Sequence, residues 1–307
     1  MQQCVSLIVP AHNEGAHISQ SLRTILSEAR KAQNVRYELL VVDDGSTDET
    51  ATQALALAQE GEAVRVLSFT RNFGKEAAIQ AGLEHAEGDA VILLDADLQH
   101  PPELIPEMVR LWCAGLPVVH AVRTRPPERR WGSDWSARLF YWLFRRMAGI
   151  DLSGQCDYKL LDREVVDAYL SWPERQRFFR GLVSWAAYPS ASIPFSVPPR
   201  SSGQSRWSTL GLLRYAVTNL TSFSALPLRL VAGLGLLTLV AGSAVGLHSL
   251  FLKLSGQALD GFTTVIVLVS ALGGMTLLAL GIVGHYLSRI YEEIKGRPSY
   301  LIRPSRQ

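Results

Sequence analysis

The stretch AVILLDADLQHPPE, residues 90–103, joins a short apolar run to two aspartates one residue apart. Ala90 to Leu94 reads as a buried strand that ends at Asp95. Working outward, the same pattern recurs. Val5 to Pro10 is a first strand. Asn13 is placed to cap a helix that carries Ile18, Leu22, Ile25 and Leu26 on one face. Tyr37 to Val42 is a second strand, ending in the acidic turn Asp43-Asp44-Gly45-Ser46, and Ser46 or Thr47 starts the next helix. Val64 to Ser68 is a third strand, Lys75 to Ala86 a helix, and Pro117 to Val122 a fifth strand. Strands that alternate with helices predict an α/β fold with a mostly parallel sheet covered on both faces. Ligands of such sheets sit at the carboxyl ends of the strands, and both acidic pairs fall there.

Composition excludes several classes. The chain has 307 residues, 48% hydrophobic and 19% charged, which is too apolar for disorder. Cys4, Cys113 and Cys156 have no CxxC spacing, so neither a disulfide scaffold nor a zinc ribbon is expected. A net charge of +2 gives no nucleic-acid coat, and none is expected as a partner. No GxGxxG follows the first strand, which disfavours a dinucleotide dehydrogenase. His12, His17, His85, His100 and His120 lack HxxxH spacing and read as structural or surface residues, while His248 and His285 lie near span ends.

The composition changes near residue 230. Between Arg229 and Lys253 lie 23 residues without a charge, and between Asp260 and Arg289 another 28. Each is long enough to cross a ~30 Å hydrocarbon core; buried helices of a soluble body are the alternative. Basic residues flank the outer ends: Arg214 and Arg229 before, and Arg289, Lys295, Arg297, Arg303 and Arg306 after. The connecting hairpin carries only Lys253. By the positive-inside rule both ends stay in the cytoplasm, and no basic n-region of a signal peptide precedes the first strand. Leu210, Leu213, Val217 and Leu220 recur at near-helical spacing and predict an amphipathic helix at the membrane surface, or a linker helix packed on protein. Gly273-Gly274 permits close approach of helices, and so a homo-oligomer.

The residues with chemistry to offer cluster at the strand ends. Asp95 and Asp97, at i and i+2, can share one side and hold a hard divalent ion that also binds phosphate oxygens; an Asp-rich turn is the plainer reading. Carboxylates such as Asp44 and Glu14 accept hydrogen bonds from ribose hydroxyls and base N–H groups, although Asp44 could equally form an Asx-turn. Arg71-Asn72-Phe73-Gly74-Lys75 puts cations and a glycine before a helix, an anion-receptive corner or a loop shaped by Gly74 alone. A phosphate needs planar, bidentate cations, which arginine supplies; the basic run from Arg123 to Arg130 could equally be a solvated loop or a lipid-headgroup contact.

The ordered set DDGSTDET, RNFGKEAA and DADLQHPPE resembles the family 2 glycosyltransferases with a GT-A fold. Within them it is similar to the polyprenyl-phosphate sugar transferases, such as bactoprenol glucosyltransferases and dolichyl-phosphate mannose synthases. The resemblance covers almost the whole chain, and FSALPLRL before the first span takes part in it. It implies a GT-A catalytic domain over 1–208, a juxtamembrane amphipathic helix over 209–228, a two-helix transmembrane hairpin over 229–288 and a cytoplasmic tail over 289–307. It implies nucleotide-sugar binding by Pro10, Asn13, Glu14, Asp44, Arg71, Lys75, Asp95, Ala96 and Gln99, with Mg2+ or Mn2+ on Asp95 and Asp97. The same resemblance gives Asp97 and Asp157 catalytic roles. It assigns the lipid phosphate to Arg123, Arg138, Arg200, Ser205 and Arg206. Asp157 is the aligned proposed base, yet an ionised phosphate needs little deprotonation, so orienting an arginine is an equal alternative. Asp162 reads as a helix cap.

The expected reaction is an inverting transfer, first of all of glucose from UDP-glucose, to undecaprenyl or another polyprenyl phosphate in a bacterial inner membrane, for cell-envelope glycan modification. GDP-mannose, UDP-N-acetylhexosamine and UDP-aminoarabinose derivatives remain alternative donors. A processive synthase would carry QxxRW, and Gln204-Ser205-Arg206-Trp207 is one residue short. A silent nucleotide-sugar-binding membrane protein is the non-enzymatic alternative.

Overall fold

The computed structural model describes residues 2–32, 34–124, 145, 146, 149, 154–175, 177–196, 221, 226–256 and 261–304. The chain divides into two compact units, 1–206 with 298–307, and 207–297.

The first unit is built on seven strands: β1 (Gln3–Ala11), β2 (Val35–Asp43), β3 (Val64–Ser68), β4 (Ala90–Leu93), β5 (Val118–Arg123), β6 (Gln155–Asp162) and β7 (Ser190–Phe195). Their order across the sheet is β3-β2-β1-β4-β6-β5-β7. All neighbours pair in parallel except β6, which runs antiparallel to both β4 and β5. That reversal positions the site. Leu93 pairs with Lys159, so the start of β6 lies beside the carboxyl end of β4 and delivers Asp157 next to Asp95.

One face of the sheet, with Val5, Leu7, Val9, Leu39, Val41 and Ile92, forms a core with α1 (Ile18–Ala29), α2 (Thr50–Gln59) and, after a 3-10 turn, α4 (Ile105–Cys113). The other face receives α3 (Lys75–His85), flanked by α5 (Arg163–Ser171) and α6 (Phe179–Trp185). Close packing of α3 needs Gly82, where an added Cβ would stand 2.4 Å from Cγ2 of Ile8.

Two local expectations change. The residue before α1 is His17, with no side-chain cap, and Asn13 turns instead toward the β2 loop. α2 starts at Thr50, because Asp48 accepts from Gly15 N at 2.9 Å and Thr50 N at 3.0 Å, which holds the preceding loop to β1. Asp162 does cap α5, accepting from Glu164 N at 3.0 Å.

The second unit holds α7 (Leu226–Leu254) and α8 (Phe262–Lys295). Both are long and apolar enough to cross a membrane, and neither apolar window is buried. Leu236, Leu239, Leu247 and Leu277 are each at least 64% exposed, which is not how a soluble core helix looks. α8 extends past the expected end of the hairpin at 288. Residues 298–304 then return to the first unit, where Phe69 pairs with Ile302. The amphipathic helix expected over 209–228 lies outside the described residues except at 221 and 226–228.

Candidate active site

The carboxyl ends of β1, β2 and β4 open into a cleft of about 300 Å³. Pro10, Glu14, Asp44, Lys75, Asp95, Ala96 and Asp97 all line it, together with His12, Asn72 and Gly74. Three residues expected there are not on its wall. Asn13 adopts a positive φ of 56° and accepts from Thr47 N at 2.9 Å, so it fixes the loop behind the cleft. The Arg71 guanidinium lies 4.7 Å from the centre of the Phe73 ring. Gln99 donates its backbone N–H to Asp97 Oδ1 at 3.0 Å.

Asp44 is buried and does not stand as a free acceptor. Its two oxygens take the N–H groups of Phe73 (2.7 Å) and Gly74 (2.9 Å), binding the loop between β3 and α3 to the end of β2. Burial pushes its carboxyl up from the ordinary value against these two bonds. The approach requires Gly45, which has φ +66° and would place a Cβ 2.3 Å from the carbonyl carbon of Arg71.

Lys75 and Asp95 belong to a chain of alternating charges whose other members, Asp157 and Arg180, are not among the residues that line the cleft. Lys75 Nζ donates to Asp95 Oδ1 at 2.6 Å and to Asp157 Oδ2 at 2.9 Å. Arg180 grips Asp157 with two bonds, Nε to Oδ1 at 2.6 Å and Nη2 to Oδ2 at 3.0 Å. Burial alone would raise the Asp157 carboxyl, but Lys75 and Arg180 outweigh it and hold it far below the usual carboxylate range. For Lys75, burial pulls down and the two aspartates win, leaving the ammonium above its ordinary value. Asp157 is thus ion-paired on both sides, by Lys75 and by Arg180.

His100, expected to be structural or on the surface, is structural and lies behind Asp95. It is buried, accepts from Asp95 N at 3.0 Å through Nδ1, and stacks on Tyr158 with ring centres 5.1 Å apart. Acceptance at Nδ1 puts the proton of the neutral ring on Nε2, which stands 3.6 Å from Asp95 Oδ2. Burial lowers its pKa, so the neutral ring is the resident form. Arg180 and Glu76 were missed. Glu76 accepts from Phe179 N at 3.0 Å, joining α3 to α6. Nothing in sequence spacing connects residues about a hundred positions apart.

Arg123 ends β5, is exposed, and lies near enough for its charge to bear on His100. Arg138, Arg200, Ser205 and Arg206 lie outside the described residues. Among the described residues no three His, Cys, Asp or Glu side chains form a metal cage. Asp95 and Asp97 still suit a hard ion such as Mg2+ or Mn2+. Such ions bind through one or two carboxylates plus substrate phosphates and water, and the two carboxylates meet in one open cleft.

Comparison with known proteins places the chain in a family. Residues 6–170 match the family model "Glycosyl transferase family 2". The chain is 36% identical over 304 residues to the bactoprenol glucosyl transferase of Shigella phage SfII, covering 98% of each chain. It is 38% identical over 305 residues to the putative glycosyltransferase CsbB of Bacillus subtilis, covering 98% of this chain and 92% of that one. Among solved structures, glucosyl-3-phosphoglycerate synthase from Mycobacterium tuberculosis with Mn2+, UDP-glucose and phosphoglyceric acid is 25% identical. Its TM-score is 0.46, with 72% of this chain and 79% of that chain covered. A match of residues 6–170 to the family model, with 36–38% identity to these relatives along nearly the whole chain, leads to one family: this chain is a glycosyltransferase and belongs to the family 2 glycosyltransferases.

Proposed function

We propose that the protein transfers glucose from UDP-glucose to a polyprenyl phosphate, with inversion at the anomeric carbon. The observation that carries this reading is the similarity to a phage bactoprenol glucosyl transferase over 98% of both chains, which takes in the cleft and the two apolar helices together. A lipid acceptor gives those helices a purpose, because its phosphate never leaves the interface.

In this reading Pro10, Glu14 and Asp44 would face the nucleoside, and Asp95, Ala96 and Asp97 its diphosphate, which their shared cleft supports. A Mg2+ or Mn2+ ion held by Asp95 and Asp97 would offset charge on the leaving diphosphate. Lys75, between Asp95 and Asp157, adds a fixed cation to the same cleft. A phosphate oxygen of the acceptor, already ionised near neutral pH, attacks the anomeric carbon as the bond to the diphosphate breaks. No proton has to be removed. Asp157 then serves by fixing Lys75 and Arg180, and the rate comes from alignment of two bound anions. Arg123, with Arg138, Arg200, Ser205 and Arg206, would hold the lipid phosphate.

Two spans return the chain to the side it left, as any even number of crossings must. With the basic flanks, this supports a multi-pass protein of the bacterial cytoplasmic membrane whose cleft and C-terminus face the cytoplasm.

The test is a donor panel. Purified protein is given undecaprenyl phosphate, Mg2+ or Mn2+, and separately UDP-glucose, GDP-mannose and UDP-N-acetylglucosamine, and lipid products are resolved by mass. UDP-glucose should give a single hexosyl product. A product from another donor alone, or none at all, rejects the reading. Asp97→Asn should abolish turnover at unchanged melting temperature; full activity in that variant would reject the metal assignment.

A further inference from the structure

Three residues after α8 ends at Lys295, the chain re-enters the catalytic unit as a short edge segment. Ser299 Oγ donates to Gln80 Oε1 at 3.0 Å, and the Tyr300 hydroxyl donates to Glu84. Thr70 N donates to Leu301 O at 2.9 Å and Arg303 N to Ser68 O at 2.7 Å, so the segment pairs with the chain just past β3. The Tyr300 ring stacks on Phe69, 5.0 Å between centres and 16° between planes.

These partners are the supports of the donor wall. Phe69 is fully buried and meets Phe73 edge to face at 5.8 Å. Phe73 and Gly74 are the residues whose N–H groups Asp44 holds on the cleft side. Gln80 and Glu84 lie one turn apart on α3, the helix that begins with Lys75. The tail therefore grips both sides of the corner 71–75: the strand side through Phe69, the helix side through Gln80 and Glu84. That corner has no ladder of its own, and Asn72, Gly74 and Lys75 from it line the cleft.

We propose that Tyr300 is a positioning residue for the nucleotide pocket, its ring backing Phe69 so that the 71–75 corner keeps the geometry that binds a nucleoside diphosphate. The proposal rests on the reading of the cleft as the nucleotide-sugar site. It gives the last residues of the chain a part in donor binding, beyond that of a tail.

The test uses full-length protein in detergent with Mg2+, UDP titrated calorimetrically, and steady-state kinetics with UDP-glucose and undecaprenyl phosphate. Tyr300→Ala should weaken UDP binding and raise KM for UDP-glucose by about tenfold, with kcat and the lipid KM within about twofold, as expected for lost ground-state binding. Tyr300→Phe keeps the ring and should stay within about twofold of the parent protein. If Tyr300→Ala does not fold, Tyr300→Leu, which fills space without stacking, should show the same selective loss. Unchanged UDP affinity, equal damage to both KM values and kcat, or a Tyr300→Phe as impaired as Tyr300→Ala each overturns the proposal. If the parent protein binds GDP and not UDP, the donor reading falls, and the same comparison made with GDP still decides the role of Tyr300. If it binds neither, both fall.

Discussion

Asp157 shows how a single residue changes meaning with its neighbours. An isolated aspartate is a weak base at neutral pH; clasped by Lys75 and Arg180 it is weaker still. Its depressed pKa means a stabilising contribution that is complete above the ordinary carboxylate pKa of about 4 and drains away as pH falls below it. Asp157→Asn should lower turnover at least about 100-fold through misplacement of Lys75. It should also cost roughly 2 kcal/mol, below the usual figure for a broken buried pair because Lys75 is 43% exposed. The pH–rate profile should keep its shape, since no base is lost; disappearance of an acid limb in the variant would restore the base. Glu76 runs the other way. Burial, with Asp157 adding to it, raises its pKa to about 7, so the folded state holds a proton that the unfolded chain releases from about pH 4.3 upward. Stability therefore falls as pH rises from there to about 7. Glu76→Gln should flatten that slope in thermal melts and raise the melting temperature more at pH 8 than at pH 5; equal shifts at both would reject the assignment.

At the scale of elements, α3 decides the site, since it carries Lys75 at its start and the tail's partners along its length. Its contact with β1 leaves no room at Gly82. Gly→Ala inside a helix ordinarily stabilises by about 1 kcal/mol; here the sign should reverse, to a loss of about 1–3 kcal/mol from overpacking against Ile8. Denaturant unfolding of Gly82→Ala checks it, and a gain in stability would mean that β1 and α3 separate easily. The first five strands were legible, because their apolar runs and turn residues are local signals; β6, β7, α4 and α6 were not foreseen, and of α5 only the cap Asp162 was. Val64–Ser68 is found as expected, and β1, β2, β4 and β5 differ only at their ends. The start of α2 and the cap of α1 were missed for one reason. Asn13 and Ser46 spend their hydrogen bonds across the β1 and β2 loops, and Asp48 divides its own between Gly15 in the first loop and Thr50 at the start of α2; a preference for caps cannot foresee partners more than thirty residues away.

For the whole molecule, the telling fact is that residues 3–195 and 298–304 belong to one unit while two long apolar helices intervene. If those helices span the membrane, both ends of the chain share a side. An impermeant thiol reagent applied to intact cells should then label Ser255→Cys in the hairpin and leave the parent protein unlabelled. Exposed Cys113 should react only after permeabilisation. Labelling of Cys113 in intact cells would reverse the orientation. The sequence by itself determined the α/β unit, the two apolar helices, and the carboxylates at strand ends, because periodicity, span length and charge are properties of neighbouring residues. Only the tertiary structure decided that β6 runs backwards to bring Asp157 to Lys75, that Arg180 holds Asp157 and His100 holds the backbone of Asp95, and that Tyr300 stacks on Phe69. Those pairings join residues from 5 to more than 200 positions apart, and backbone packing sets them, which no local pattern records.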